Sequence, residues 1–115
     1  MDLNERSFGA AIAVSAVGRI DLSNADAFKD ALTLAMGKAK SALIIDLAKV
    51  DYISSAGLRS LMIVFKAGKA EGKAFAVAAL QPLLKEIFTI SRFNLVFPMF
   101  ETVEDALNKL APGAR

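Results

Sequence analysis

The pattern of apolar and polar positions predicts short strands and helices in regular succession. Apolar residues run almost unbroken over Ala42–Leu47, which is typical of a strand covered on both faces of a sheet. A short polar turn with Lys49, Asp51, Ser54 and Ser55 follows. Apolar residues then return at helical spacing, at Leu58, Leu61, Met62 and Phe65. The pattern therefore predicts a strand, a turn and the start of a helix that packs against a core.

The amino-terminal residues predict two paired strands. Arg6–Phe8 is compatible with a short strand and Gly9-Ala10 with a turn, and Ala11–Val17 carries β-branched residues on one face. We expect an antiparallel hairpin here, with residues 18–21 as a turn or strand end.

A first helix follows this hairpin. Ser23 and Asp26 have the spacing of a capping box, so Ser23 is the expected N-cap. Gly37 is the expected stop. The predicted buried face consists of Ala25, Phe28, Leu32 and Met36.

The second half of the chain repeats the alternation of strand and helix. Phe75–Ala79 predicts a short buried strand, and Pro82 the first turn of a helix. The apolar face expected for that helix consists of Leu83, Leu84, Ile87 and Phe88. Val96–Phe100 contains Pro98 and predicts an edge strand. Thr102 and Asp105 repeat the capping pattern for a last helix.

The predicted order is ββαβαβαβα, an α/β domain with parallel neighbouring strands and helices packed on the sheet. The length of 115 residues supports one core rather than two. We expect the domain to span residues 1–111 and residues 112–115 to form a flexible tail.

Composition excludes several kinds of function. The net charge of +2 is too small to indicate nucleic acid or an anionic membrane as partner. The chain has no cysteine and no histidine, so thiol chemistry and the commonest general base and metal ligand are absent. No targeting segment or membrane-length apolar run is apparent, which predicts a cytoplasmic protein.

Motifs of catalysis are missing as well. Neither the phosphate-binding glycine motifs nor the G-x-S-x-G elbow occurs. Asp21, Asp46 and Asp51 could gather and bind a divalent cation, but ordinary turn and cap acids are the favoured interpretation. We expect no metal site and no cofactor.

Ser54 and Ser55 have two interpretations. Serine is a preferred N-cap residue, and that role needs only one of the two hydroxyls. The second hydroxyl would stay exposed at the helix start, where a phosphate would meet free amides and the positive end of the helix dipole.

The segment LIIDLAKVDYISSAGLRSLM resembles the signature of STAS domains, the family of anti-sigma factor antagonists and of cytoplasmic domains of sulfate transporters. Residues 18–21, GRID, and 100–107, FETVEDAL, also resemble motifs of that family. The resemblance covers nearly the whole chain and implies a single STAS-like domain, with a mixed, mostly parallel sheet and an antiparallel amino-terminal hairpin.

The resemblance implies a regulatory switch rather than an enzyme. An antagonist of this family binds an anti-sigma factor serine kinase when unphosphorylated, releases it when phosphorylated, and is reset by a serine phosphatase. Ser55 matches the acceptor. Many members carry aspartate directly before the acceptor, whereas this chain carries Ser54, so Ser54 is the alternative acceptor. Asp21 matches a family aspartate that positions the acceptor or contacts the kinase, and Gly57 matches the motif glycine that keeps the acceptor accessible. For Arg59, one turn into the helix, a solvated surface position is the favoured interpretation, and contact with the partner or with a phosphate on Ser55 is the alternative. The resemblance also fits a monomer. The alternative is a STAS module that binds without phosphorylation, as a ligand sensor, scaffold or transporter accessory subunit.

Overall fold

The computed structural model describes residues 2–111, so the predicted tail and the domain limit at residue 111 lie at or beyond its end. Within this range the strands are β1 (Asp2–Phe8), β2 (Ala11–Ile20), β3 (Ala42–Ile53), β4 (Ala74–Ala78) and β5 (Met99–Phe100). The helices are α1 (Ala25–Lys38), α2 (Ser55–Ala70), α3 (Pro82–Ile90) and α4 (Val103–Leu110), with a 3₁₀ turn at Phe93–Leu95.

The five strands form one sheet in the order β1-β2-β3-β4-β5. β1 pairs with β2 in antiparallel fashion, and every later pair is parallel. The predicted α/β class, the element order and the mixed, mostly parallel sheet are therefore confirmed. The parallel crossovers place the carboxyl ends of β2 and β3 side by side, each leading into a helix.

Two hydrophobic layers cover the sheet. One face packs against α1, α2 and α3 through large side chains such as Phe28, Leu61 and Phe88, all fully buried. The other face packs against α4, and much of its sheet surface is alanine, which lets Ala106 and Leu107 approach closely. The candidate site lies on the thicker layer, where α1 and α2 begin.

The predicted turn after Leu47 is wrong, because β3 continues through Ile53. β3 has 12 residues and pairs with the 10 of β2, and the register shifts twice, near Val17 and near Arg19. Each shift inserts one extra residue into β3, as in a β-bulge. Lys49 and Asp51 are therefore strand residues, and the connection between β3 and α2 is Ser54 alone.

Three further expectations for the amino-terminal half are corrected. β1 begins at Asp2, because antiparallel pairing with β2 sustains a mostly exposed edge strand that the polar residues alone do not indicate. α1 is preceded by Asn24 rather than by Ser23, whose hydroxyl binds the Asp21 carboxylate instead. Gly37 lies inside α1 and does not end it.

The carboxyl-terminal half shows two more differences. Of the predicted strand Val96–Phe100, only Met99 and Phe100 pair with β4, since the residues before Val96 form the 3₁₀ turn. Leu83 is exposed, whereas Leu84 and Phe88 of the same helix are buried. The predicted cap of α4 is confirmed: the Thr102 hydroxyl accepts the Asp105 amide at 3.0 Å.

Candidate functional site

Ser54 is fully engaged at the junction between β3 and α2. Its hydroxyl oxygen accepts the backbone amide of Gly57 at 3.3 Å, and its own amide donates to the Ile20 carbonyl at 2.8 Å. Ser54 therefore caps α2 and also ties the end of β3 to the end of β2. The structure assigns the cap to the first of the two serines.

Ser55 is the first residue of α2 and its side chain is exposed. Its hydroxyl has no hydrogen-bond partner among residues 2–111. Since the neighbouring serine already satisfies the helix start, the Ser55 hydroxyl is left open to solvent. This is the arrangement that a modifying enzyme requires of an acceptor.

Gly57 is required by space at this junction. A Cβ atom at this position would lie 2.6 Å from Ile53 Cγ1 and 2.8 Å from Ile20 Cγ2. Both distances are far below van der Waals contact, and both isoleucines are buried. The glycine thus lets the first turn of α2 pack directly on the ends of β2 and β3. Its backbone is helical, so conformational freedom is not the reason for glycine here.

The Asp21 carboxylate makes no hydrogen bond to Ser54 or Ser55. It accepts the Ser23 amide at 3.0 Å, the Ser23 hydroxyl, and Arg19 Nε at 3.3 Å. The Ser23 hydroxyl, followed by the Ser23 amide, lowers the pKa of this carboxyl below its ordinary value. In this structure Asp21 organises the turn into α1, and the predicted role in positioning Ser55 has no direct contact to support it.

A groove of about 320 Å³ runs beside Ser55 between the first turns of α1 and α2. On the α1 side it is bordered by Leu22 and Lys29, and on the α2 side by Arg59 and Ile63. Leu22 is 84% exposed and Ile63 is 45% exposed. The groove combines apolar side chains, two cations and the Asp26 carboxylate around an accessible hydroxyl, which suits contact with another protein.

Ser60 fixes the geometry of this groove. Its buried hydroxyl donates to the Ala25 carbonyl in the first turn of α1 at 2.9 Å. The bond joins the second turn of α2 to the first residue of α1. Arg59 and Lys29 therefore face a groove with a defined width.

Three groove residues, Leu22, Lys29 and Ile63, are absent from the predicted site. Lys29 has no local sequence signal, because its neighbourhood to Ser55 depends on how α1 packs beside α2. Ile63 does have one, since it is an apolar residue off the predicted buried face of α2. Leu22 is similarly an apolar residue in a polar turn.

The other aspartates are dispersed. Asp46 accepts the Ser15 hydroxyl at 3.3 Å on the sheet, and Asp51 is exposed on β3. Within residues 2–111, acidic side chains do not form a group of three that could hold a metal ion. None of the helices in that range is long and apolar enough to cross a membrane.

Comparisons with known proteins place this geometry in a family. Residues 5–106 match the model of the STAS domain. A relative from Bordetella bronchiseptica, BtrV, which carries a provisional assignment as an anti-sigma factor antagonist, is 33% identical over 89 residues. That match covers 77% of each chain.

Solved structures agree with this match. An anti-sigma factor antagonist from Mycobacterium paratuberculosis superposes with a TM-score of 0.86 at 27% identity, over 95% of this chain and 92% of the other. The unphosphorylated antagonist SpoIIAA of Bacillus superposes with a TM-score of 0.79 over 94% and 95%. Its 14% identity supports the fold alone. The chain belongs to the STAS family, and its relatives include anti-sigma factor antagonists.

Proposed function

We propose that this protein is an anti-sigma factor antagonist switched by phosphorylation of Ser55. One observation supports this assignment most: Ser54 is occupied as the cap of α2, whereas the adjacent Ser55 hydroxyl is exposed and unpaired among the described residues. The unphosphorylated protein binds an anti-sigma factor serine kinase, and a serine phosphatase reverses the modification.

The proposed reaction uses the protein as substrate and not as enzyme. Ser55 Oγ forms a bond to the γ-phosphorus of ATP while the bond from that phosphorus to the β–γ bridging oxygen breaks, and ADP leaves. The hydroxyl proton passes to a base supplied by the kinase. The phosphatase returns the hydroxyl by hydrolysis, releasing inorganic phosphate. The chain itself needs no cofactor.

The added phosphate changes the face that the partner contacts. It brings nearly two negative charges to the rim of a groove whose nearest cations are Arg59 and Lys29. A partner that complements the basic and apolar unphosphorylated groove therefore loses affinity. Nothing in the fold has to open for this to occur, because Ser55 is exposed already. We propose that the protein acts as a cytoplasmic monomer.

The test is phosphorylation by the cognate kinase with ATP, followed by mass spectrometry and a binding measurement. We expect one phosphate, on Ser55, and at least a tenfold loss of kinase affinity after modification. Ser55→Ala should remain unmodified and keep binding, whereas Ser54→Ala should still be modified. Modification of Ser55→Ala to the wild-type extent would contradict the assignment. Binding without any modification would instead identify a STAS module that acts as a sensor, scaffold or transporter subunit.

A further inference from the structure

We propose that a phosphate on Ser55 is held by two cations of its own chain, Arg59 on α2 and Lys29 on α1. Phosphorylation would then close the groove and neutralise its basic side chains, in addition to placing charge on the rim. This inference rests on the proposed function and concerns the contacts of the phosphate after Ser55 has been modified.

Arg59 has the right position on the same helix. It is four residues after Ser55, and side chains four apart on a helix are neighbours, with Cβ atoms about 6 Å apart. The side chain is exposed and has no ion pair or hydrogen bond among residues 2–111. A guanidinium can bind two phosphate oxygens at once, which makes it the favoured side chain for such a contact.

Lys29 supplies the second cation from across the groove. Among residues 2–111 its ammonium is paired only with Asp26, at 4.0 Å, and the Asp26 side chain is 98% exposed. Such a pair contributes little in water. A phosphate dianion attracts the ammonium more strongly than a single solvated carboxylate does. Lys29 can therefore exchange partners at small cost.

The charged side chains that border the groove are Lys29, Arg59 and Asp26. They carry a net charge of +1 before modification, from two cations and one carboxylate. A phosphate would bring the local sum to about −1. The two cations that would attract an acidic partner would be occupied, so the switch removes attraction as well as adding repulsion.

The clamp is measurable without any kinase. Phosphoserine is incorporated at position 55 during synthesis of the full chain, and the phosphate is titrated by ³¹P NMR. We expect its second pKa to lie about one pH unit below the usual value of about 6, because nearby cations favour the dianion. In the double variant K29Q/R59Q the second pKa of the phosphate should rise most of the way back to its usual value. Each single variant should raise it by a part of that amount.

Lys66→Gln is the matched control. Lys66 lies on the same helix as Arg59 and is also exposed, but it is seven residues further on, about 10 Å along the axis. The Lys66→Gln substitution should leave the phosphate pKa unchanged, which distinguishes an effect of local contact from an effect of the protein's net charge. Equal pKa values in the wild type, K29Q/R59Q and Lys66→Gln would overturn the clamp. They would leave phosphorylation by the kinase, which is tested separately, unaffected.

Discussion

Two neighbouring junctions of this molecule have similar polar sequences and opposite outcomes. Residues 21–24 lead from β2 into α1, and residues 54–57 lead from β3 into α2. The second junction is tied to the strand end that precedes the first, because the Ser54 amide donates to the Ile20 carbonyl. Both are polar turns at the carboxyl ends of parallel strands, where ligands and partners of α/β folds are commonly bound.

The difference lies in what remains unpaired. In the first junction, the Asp21 carboxylate binds Ser23 and Arg19. The Asn24 side chain accepts the Asp21 amide and donates to the Arg19 carbonyl. In the second junction, Ser54 caps the helix and Ser55 is left over. A polar turn whose groups satisfy one another is structural. The exposed Ser55 hydroxyl, which has no partner among residues 2–111, is accessible for the modification that we propose.

The largest effect on stability should come from adding a side chain at Gly57, where the second junction is tightly packed. We expect Gly57→Val to lower the free energy of unfolding by about 2–3 kcal/mol, because its Cβ would overlap Ile53 and Ile20. Urea denaturation monitored by circular dichroism measures the change.

Gly37→Ala is the control for this substitution. A Cβ there would meet nothing within 4 Å, and the residue lies inside α1. This variant should gain about 0.5–1 kcal/mol from reduced chain entropy. Equal losses in both variants would refute the packing explanation for Gly57.

The two serines should separate stability from modification. We expect Ser54→Ala to cost about 1 kcal/mol, because the Gly57 amide loses its acceptor. Ser55→Ala should change stability by less than about 0.5 kcal/mol. Paired urea titrations of the two unphosphorylated variants provide the comparison. A larger loss for Ser55→Ala would mean that its hydroxyl has a structural role.

The smallest effect should be the acid sensitivity of the first junction. The lowered pKa of Asp21 means that its carboxylate contributes stability above the ordinary aspartate range. That contribution is lost as the pH falls through that range and the lowered pKa of the folded state. The stability difference between wild type and Asp21→Asn should therefore shrink between pH 7 and about pH 3. Asp51→Asn serves as control, and a difference for Asp21→Asn that stays constant with pH would contradict the assignment.

Much of the fold can be predicted from the sequence because its signals are local. The buried strand around Ile44 and the helix faces of Phe28 and Leu61 appear as apolar patterns, and all three residues are buried. The end of β3 cannot be read this way. Its bulges replace the two-residue alternation with burial of Leu47, Val50 and Ile53, three residues apart.

The candidate site divides along the same line. The two serines and Gly57 belong to one continuous motif, so the sequence identifies them but leaves open which serine caps the helix. The place of Lys29 beside Ser55 depends on the packing of α1 against α2, with 25 residues between the two in sequence, and no local pattern reports their proximity. Site residues within one turn can be recognised from the sequence. Residues that meet across a groove can be identified only when the fold is known.

The unequal lengths of β3 and β4 have a consequence for motion at the site. β4 pairs with β3 only from Ala42 to Asp46, so the remainder of β3 has a ladder on the β2 side alone. Opening this segment breaks fewer hydrogen bonds than opening the centre of the sheet. Amides after Leu47 should therefore exchange with solvent through local openings rather than global unfolding. The end of β3 that leads to Ser55 should therefore exchange faster than the centre of the sheet, while buried Val50 and Ile53 keep it packed on the core.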